Sequence, residues 1–118
     1  MVEIYKEFKF SAAHQLPNVH PKHPCGHLHG HNYTVRITLR GVPNPEKGWL
    51  IDFSEITAAW HPLHYTLDHQ CLNDVPGLEN PTSENLAMWI YGKLRGLPYL
   101  YQVEVQETDS SGVVFPVD

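Results

Sequence analysis

The sequence predicts an antiparallel α+β domain with the element order ββααββ, and three features predict it. Long runs near both ends alternate apolar and polar residues with a period of two, the signature of half-buried strands. The middle of the chain carries apolar residues at helical spacing behind recognisable helix starts. At 118 residues, the chain can bury roughly two-thirds of the surface of its unfolded form, enough for one core but not two. Residues 1–118 are therefore read as a single domain.

The first strand is expected from about Val2 to His14, with Ile4, Phe8, Phe10, Ala12 and His14 in one phase and Glu3, Glu7, Lys9 and Ser11 in the other. The following stretch from Gln15 to Cys25 holds Pro17, Pro21 and Pro24 with His20 and His23, and reads as exposed irregular chain. Strand two places Tyr33, Val35, Ile37 and Leu39 against Thr34, Arg36, Thr38 and Arg40, and His29 and His31 fall on its apolar phase. A turn over 41–48 leads through Trp49-Leu50-Ile51 to a helix start at Asp52, where Glu55 three residues on suggests a capping box. Ile56, Ala59, Trp60 and Leu63 follow at helical spacing, Pro62 is expected to disturb the last turn, and 66–74 reads as loop or short turns. A second helix is expected to start near Thr82, with Leu86, Trp89, Ile90 and Leu94 as its stripe and Gly96 and Pro98 as its stop. Tyr101, Val103, Val105 and Glu107 then share the inward phase of strand three, and Val113-Val114-Phe115 forms strand four.

Charged residues make up 18% of the chain and the net charge is -5, which argues against nucleic acid and anionic lipid as partners. The first residues lack the apolar core of a signal peptide, and no segment approaches the ~18 consecutive apolar residues of a membrane span. A soluble, cytoplasmic protein acting on a small molecule is the expectation. Nine histidines are the compositional outlier. The cysteines are Cys25 and Cys71; in a reducing compartment a thiol beside histidines reads as metal-linked or catalytic, and Cys71 reads as a buried small hydrophobe.

Antiparallel pairing of the first two strands across their loop would bring His14, His29 and His31 together on the core side. An unpaired ring nitrogen there is costly, and a metal would satisfy all three. Three neutral imidazoles suit zinc, and an open fourth position suits catalysis. Cys25, in the run Cys25-Gly26-His27-Leu28-His29-Gly30-His31, either closes that site as a fourth ligand or stands beside it. In the second case the dication would favour its thiolate and make it a base or nucleophile. Glu107, in an inward phase, needs donors: an arginine of the protein, or a ligand edge offering two adjacent N–H groups. Asp68-His69, in a loop, is a weaker signal, since acid-histidine neighbours are common and taken alone are more often solvated than catalytic. These residues leave room for a hydrolase with a three-histidine zinc and for a zinc-stabilised binding module.

Further runs narrow the choice. Phe10-Ser11-Ala12-Ala13-His14, the Cys25 to His31 run, Gly48-Trp49-Leu50-Ile51-Asp52-Phe53, Leu67-Asp68-His69, Leu72-Asn73-Asp74, Glu79-Asn80-Pro81-Thr82-Ser83-Glu84 and Glu107-Thr108 occur in this order. With that set the chain resembles, over essentially its whole length, the 6-pyruvoyltetrahydropterin synthase and 6-carboxytetrahydropterin synthase family. Within it, the chain is most similar to the bacterial 6-carboxytetrahydropterin synthases of queuosine biosynthesis. The resemblance implies a T-fold, in which a four-stranded antiparallel sheet carries two helices on one face. It also implies a homohexamer, a dimer of trimers whose sheets close a barrel, with active sites at subunit interfaces. It implies zinc on His14, His29 and His31, and Cys25 as catalytic cysteine with Asp68 and His69 completing its acid-base set. By the same resemblance Glu107 anchors the pterin and Thr82 and Ser83 lie near it. The implied reaction converts 7,8-dihydroneopterin triphosphate to 6-carboxytetrahydropterin with loss of triphosphate and acetaldehyde; a pyruvoyl product from the same substrate is the alternative. Lys22, Arg36, Arg40 and Lys47 are the basic residues open to the triphosphate.

Overall fold

The computed structural model describes residues 1–118 as one four-stranded antiparallel sheet and two helices. Strand β1 (Val2–His14) pairs with β2 (His29–Gly41) in unbroken register from Val2↔Gly41 to His14↔His29. Strand β3 (Leu100–Thr108) pairs with β2, and β4 (Ser111–Phe115) pairs with β3, so the strands lie in chain order. Helices α1 (Phe53–Leu67) and α2 (Ser83–Lys93) intervene between β2 and β3. The expected ββααββ order is the observed one. No helix is long and apolar enough to cross a membrane.

The alternation read from the sequence becomes two unlike faces. On one, Phe10, Tyr33, Val35, Ile37, Leu39, Val103 and Val105 are buried with Ile56, Trp60, Leu63 and Leu67 of α1 and Leu86, Ala87 and Ile90 of α2. Each buried Val, Leu, Ile or Phe among them contributes on the order of 1.5–3 kcal/mol by leaving water. Phe10 stacks on Tyr33 at 4.9 Å and Phe8 on Trp60 at 5.3 Å, which fixes α1 across β1. On the opposite face the charges pair across strands: Arg36 with Glu7, and Arg40 with Glu3 at 2.7 Å. Their guanidinium groups lie 3.6 Å over the rings of Tyr5 and Tyr101.

Three local expectations are corrected. Pro62 lies inside α1, which continues to Leu67. Proline leaves the carbonyl of residue 58 without its donor, and because Ala58 is exposed, water can bond it instead. Asp52 caps α1 by accepting from Ser54 N–H at 2.9 Å, not from Glu55 as a capping box requires. Tyr101 leaves the inward phase because the β2–β3 pairing shifts between Thr38 and Leu39, so that Leu39 faces Leu100 and Thr38 faces Gln102. The bulge seats Leu100 against the core and sends Tyr101 to Arg40.

Candidate metal centre and its flanking cavities

The register of β1 and β2 places the histidines. His14 faces His29 directly, and His31, opposite Ala12, stands two residues further along the same side. Their candidate ligand atoms all lie within 4.8 Å of one another. The cluster prolongs the aromatic core, since the ring of Tyr33 is 5.6 Å from that of His31 and 6.2 Å from that of His14.

Hydrogen bonds decide which ring atoms face inward. His14 Nδ1 is 2.8 Å from the carbonyl oxygen of Pro81, and His29 Nδ1 is 2.6 Å from that of His27. A carbonyl only accepts, so each Nδ1 carries the proton and donates, and each Nε2 of a neutral ring is left with a lone pair. Those two Nε2 atoms stand 2.9 Å apart. Two lone pairs at that separation repel unless a cation lies between them, and backbone carbonyls behind the rings are the usual outer support of metal-ligating histidines. The donor set therefore fits a metal ion. Burial is the main force lowering the pKa of His14, with His29 and His31 lowering it further against the raising influence of Pro81 and Glu107. Burial also raises the pKa of the Tyr33 phenol well above its ordinary value, with Glu107 adding to it.

On one side of the cluster lies a cavity of about 340 Å³ lined by Cys25, Thr82, Ser83 and Glu107, with Leu16 and Gly112 among its walls. Four residues expected to work together are thus brought together from a loop, the start of α2 and the end of β3. Glu107 is corrected in two respects: its side chain is 29% exposed, not buried, and the groups nearest its Oε1 are the Nε2 atoms of His14 and His31, each at 3.6 Å. No arginine pairs with it. Gly112 lets β4 close on β3 beside Glu107, since a Cβ there would meet the Val105 carbonyl oxygen at 2.8 Å. The Thr82 hydroxyl caps α2 by accepting from Asn85 N–H at 3.1 Å, while Ser83 Oγ is buried without a partner.

Asp68 and His69 lie elsewhere. Asp68 ends α1, accepts Ser11 N–H at 2.9 Å, and binds His69 Nδ1 at 2.8 Å. The Ser11 amide, then His69, hold the Asp68 carboxyl below its usual range. His69 adopts φ 59°, donates its backbone N–H to Ser11 O, and leaves its ring 81% exposed. It lines a second cavity, of about 480 Å³, with Ser11, Gly30, His31, Asn32 and Cys71. Cys25 does not line that cavity. His31 lines it too, while Glu107 of the first cavity lies 3.6 Å from His14 and His31, so both cavities adjoin the cluster. Cys71 is corrected from buried to half-buried, with Sγ 3.7 Å from Asn73 Oδ1.

Sequence reasoning missed the supports. Asn73 accepts Gln15 N–H at 2.9 Å and donates to Gln15 O at 2.7 Å, pinning the residue that follows His14. Pro81 O and Ser11 N–H act through their backbone, where residue type leaves no signal. Of the basic candidates, Arg36 and Arg40 are held in ion pairs and Lys47 stands over Trp49, 5.6 Å from its ring centre. Lys22 remains, in the loop that carries Cys25.

The 6-pyruvoyl tetrahydropterin synthase family model matches residues 3–116. A 6-carboxy-5,6,7,8-tetrahydropterin synthase of Synechocystis is 47% identical, over 92% of this chain and 88% of that protein. One of Bacillus subtilis is 33% identical over 96% and 84%. The solved 6-pyruvoyl tetrahydropterin synthase of Caenorhabditis elegans superposes with a TM-score of 0.90 at 28% identity, covering 99% of this chain and 96% of that one.

Proposed function

Starting from a chain that belongs to the 6-pyruvoyl tetrahydropterin synthase family, we propose that it is a zinc-dependent lyase. With uptake of one water it converts 7,8-dihydroneopterin triphosphate to 6-carboxy-5,6,7,8-tetrahydropterin, releasing triphosphate and acetaldehyde, on the route to queuosine. The observation that carries the reading is the pair of opposed imidazole lone pairs of His14 and His29 beside His31, next to a cavity lined by Cys25 and Glu107. The names of the Synechocystis and Bacillus relatives favour the carboxy-forming branch over the pyruvoyl-forming one.

His14, His29 and His31 would hold the zinc. When bound, it supplies Lewis-acid stabilisation of negative charge developing on the substrate side-chain oxygens. Glu107 accepts the paired N–H groups of the pterin edge, orienting the ring against Thr82 and Ser83. Cys25 removes and returns protons as a thiolate, a role that needs only its sulfur at the cavity wall. Asp68 fixes the orientation of the His69 ring, which donates or accepts the proton at the other half-site. Among Lys22, Arg36, Arg40 and Lys47, Lys22 is the one outside an ion pair or ring contact and would meet the triphosphate.

Because Cys25 and the Asp68–His69 pair face different cavities of one chain, the acid-base set is completed by a second subunit. The polar sheet face and the open edges of β1 and β4 support the family's barrel-forming hexamer, in which those edges would pair. A single T-fold domain spanning 1–118, working in the cytoplasm without nucleic acid or membrane, completes the proposal. The test is to incubate the zinc-loaded protein with dihydroneopterin triphosphate and identify the products by mass. The carboxy product with acetaldehyde is expected; the pyruvoyl product without acetaldehyde would move the protein to the other branch, and an unconsumed substrate would sink the reading.

A further inference from the structure

We propose that His23 is a positioning residue for Cys25, acting as a side-chain cap that holds the thiol-bearing turn in place. The inference rests on the reading of Cys25 as the working thiol. Cys25 sits in a three-residue 3₁₀ turn, Pro24–Gly26, too short to satisfy its own amides. His23 precedes it with an extended backbone, φ -69° and ψ 135°, and its Nδ1 accepts the Cys25 N–H at 3.0 Å. Position and geometry are those of an N-cap, a place usually taken by serine, threonine, aspartate or asparagine. Pro24 between them fixes its own φ and brings no competing N–H, as in turns that begin with asparagine and proline.

The other polar groups of the turn are also paired. Gly26 N–H bonds to His23 O at 2.9 Å, His27 N–H to Pro24 O at 3.1 Å, and Leu16 N–H to Cys25 O at 2.8 Å. Leu16 follows Gln15, which Asn73 pins, so the turn is tied at one end to the strand that carries His14. The cap is the one remaining tether on the Cys25 amide. The acceptor role requires a neutral imidazole with its proton on Nε2, because an imidazolium has no lone pair to offer. The side chain of His23 is exposed and does not line the cavity, so it touches no reacting group. Asparagine can make the same bond to the amide two residues on; alanine cannot.

The experiment compares His23→Ala, His23→Asn and Cys25→Ala with the unmodified zinc-loaded protein. It reads kcat and KM with dihydroneopterin triphosphate, zinc content, and the alkylation rate of Cys25 by iodoacetamide. Alkylation is scored by peptide mass against Cys71 as internal reference. In His23→Ala, kcat is expected to fall about tenfold to a hundredfold, as a small misplacement of a catalytic group does, with KM and zinc unchanged. Alkylation of Cys25 relative to Cys71 is expected to rise about fivefold, the change in population that loss of an N-cap produces. His23→Asn should restore both to within about twofold. Unchanged alkylation and kcat in His23→Ala would overturn the proposal, and so would a His23→Asn protein as defective as His23→Ala. Should Cys25→Ala keep full turnover, the reading of Cys25 as catalyst fails, and the alkylation comparison alone decides whether His23 places the thiol.

Discussion

The two cavities beside the histidine cluster differ in how their walls are held. The wall carrying His69, with Asp68 hydrogen-bonded to its ring, is bonded to the sheet: Ser11 N–H reaches Asp68, His69 N–H reaches Ser11 O, and Ala13 N–H reaches Gln70 O at 2.9 Å. The wall carrying Cys25 and Glu107 is assembled from a turn, a helix start and a strand end distant in sequence. One half is therefore an extension of strand pairing and the other depends on side-chain caps and close packing. What this teaches is that the wall carrying His69 is fixed by backbone pairing, whereas the wall carrying Cys25 rests on side-chain contacts, which single substitutions can remove.

The strongest way to break the comparison is to remove what joins the halves. His29→Ala or His31→Ala is expected to abolish both zinc binding and turnover, and stoichiometric zinc measured in a His14/His29/His31 triple variant would refute the metal assignment. Next comes Cys25→Ala, expected to lower kcat by about 10²–10⁴ while the protein stays folded and zinc-replete. Metal loss with a collapsed melting temperature would instead make Cys25 a fourth ligand and the site a structural one.

Glu107→Gln sharpens the contrast by testing binding on the thiol side. Losing a charge-assisted acceptor costs about 1.5–3 kcal/mol, so pterin affinity measured by titration should weaken roughly tenfold to 150-fold with zinc retained. Unaltered affinity would leave Glu107 as a partner of the histidines only. On the preformed side, Asp68→Asn should cut kcat about tenfold to a hundredfold and leave pterin affinity unchanged. An equal loss of affinity would show that the two halves are not separable.

The smallest effect is on acid stability of the metal-free protein. The folded-state pKa of His14 lies below its ordinary value of 6.5, so on acidification the unfolded chain takes up a proton first and stability declines as pH falls from 6.5 towards the lowered value. Asp68, also lowered, adds a decline of the same sign in a more acid range, through the pH at which its folded carboxylate is finally protonated. Denaturant melts across pH 4–7, an interval of about three units chosen to span the first range, should lose the His14 part of this slope in His14→Gln. A flat profile in the unmodified protein would contradict the burial of a neutral ring.

By itself the sequence determined the sheet and the histidine cluster. Period-two alternation names the buried face of each strand, and once β1 and β2 pair, the phases of His14, His29 and His31 leave them nowhere else to point. Helix starts at Asp52 and Thr82 were legible because capping depends on a few adjacent residues. The roles proposed for Cys25, Asp68, His69 and Glu107 rest on family resemblance, and their arrangement does not. Only the tertiary structure put Cys25 and Glu107 on one cavity and His69 on another, since a loop's path follows from backbone amides and carbonyls at Ser11, Pro81 and His27 that every residue type carries. It alone also set the bulge at Tyr101 and the passage of α1 through Pro62. The first follows from the pairing register of β2 and β3 and the second from the exposure of the residue-58 carbonyl, and both are fixed when the layers meet.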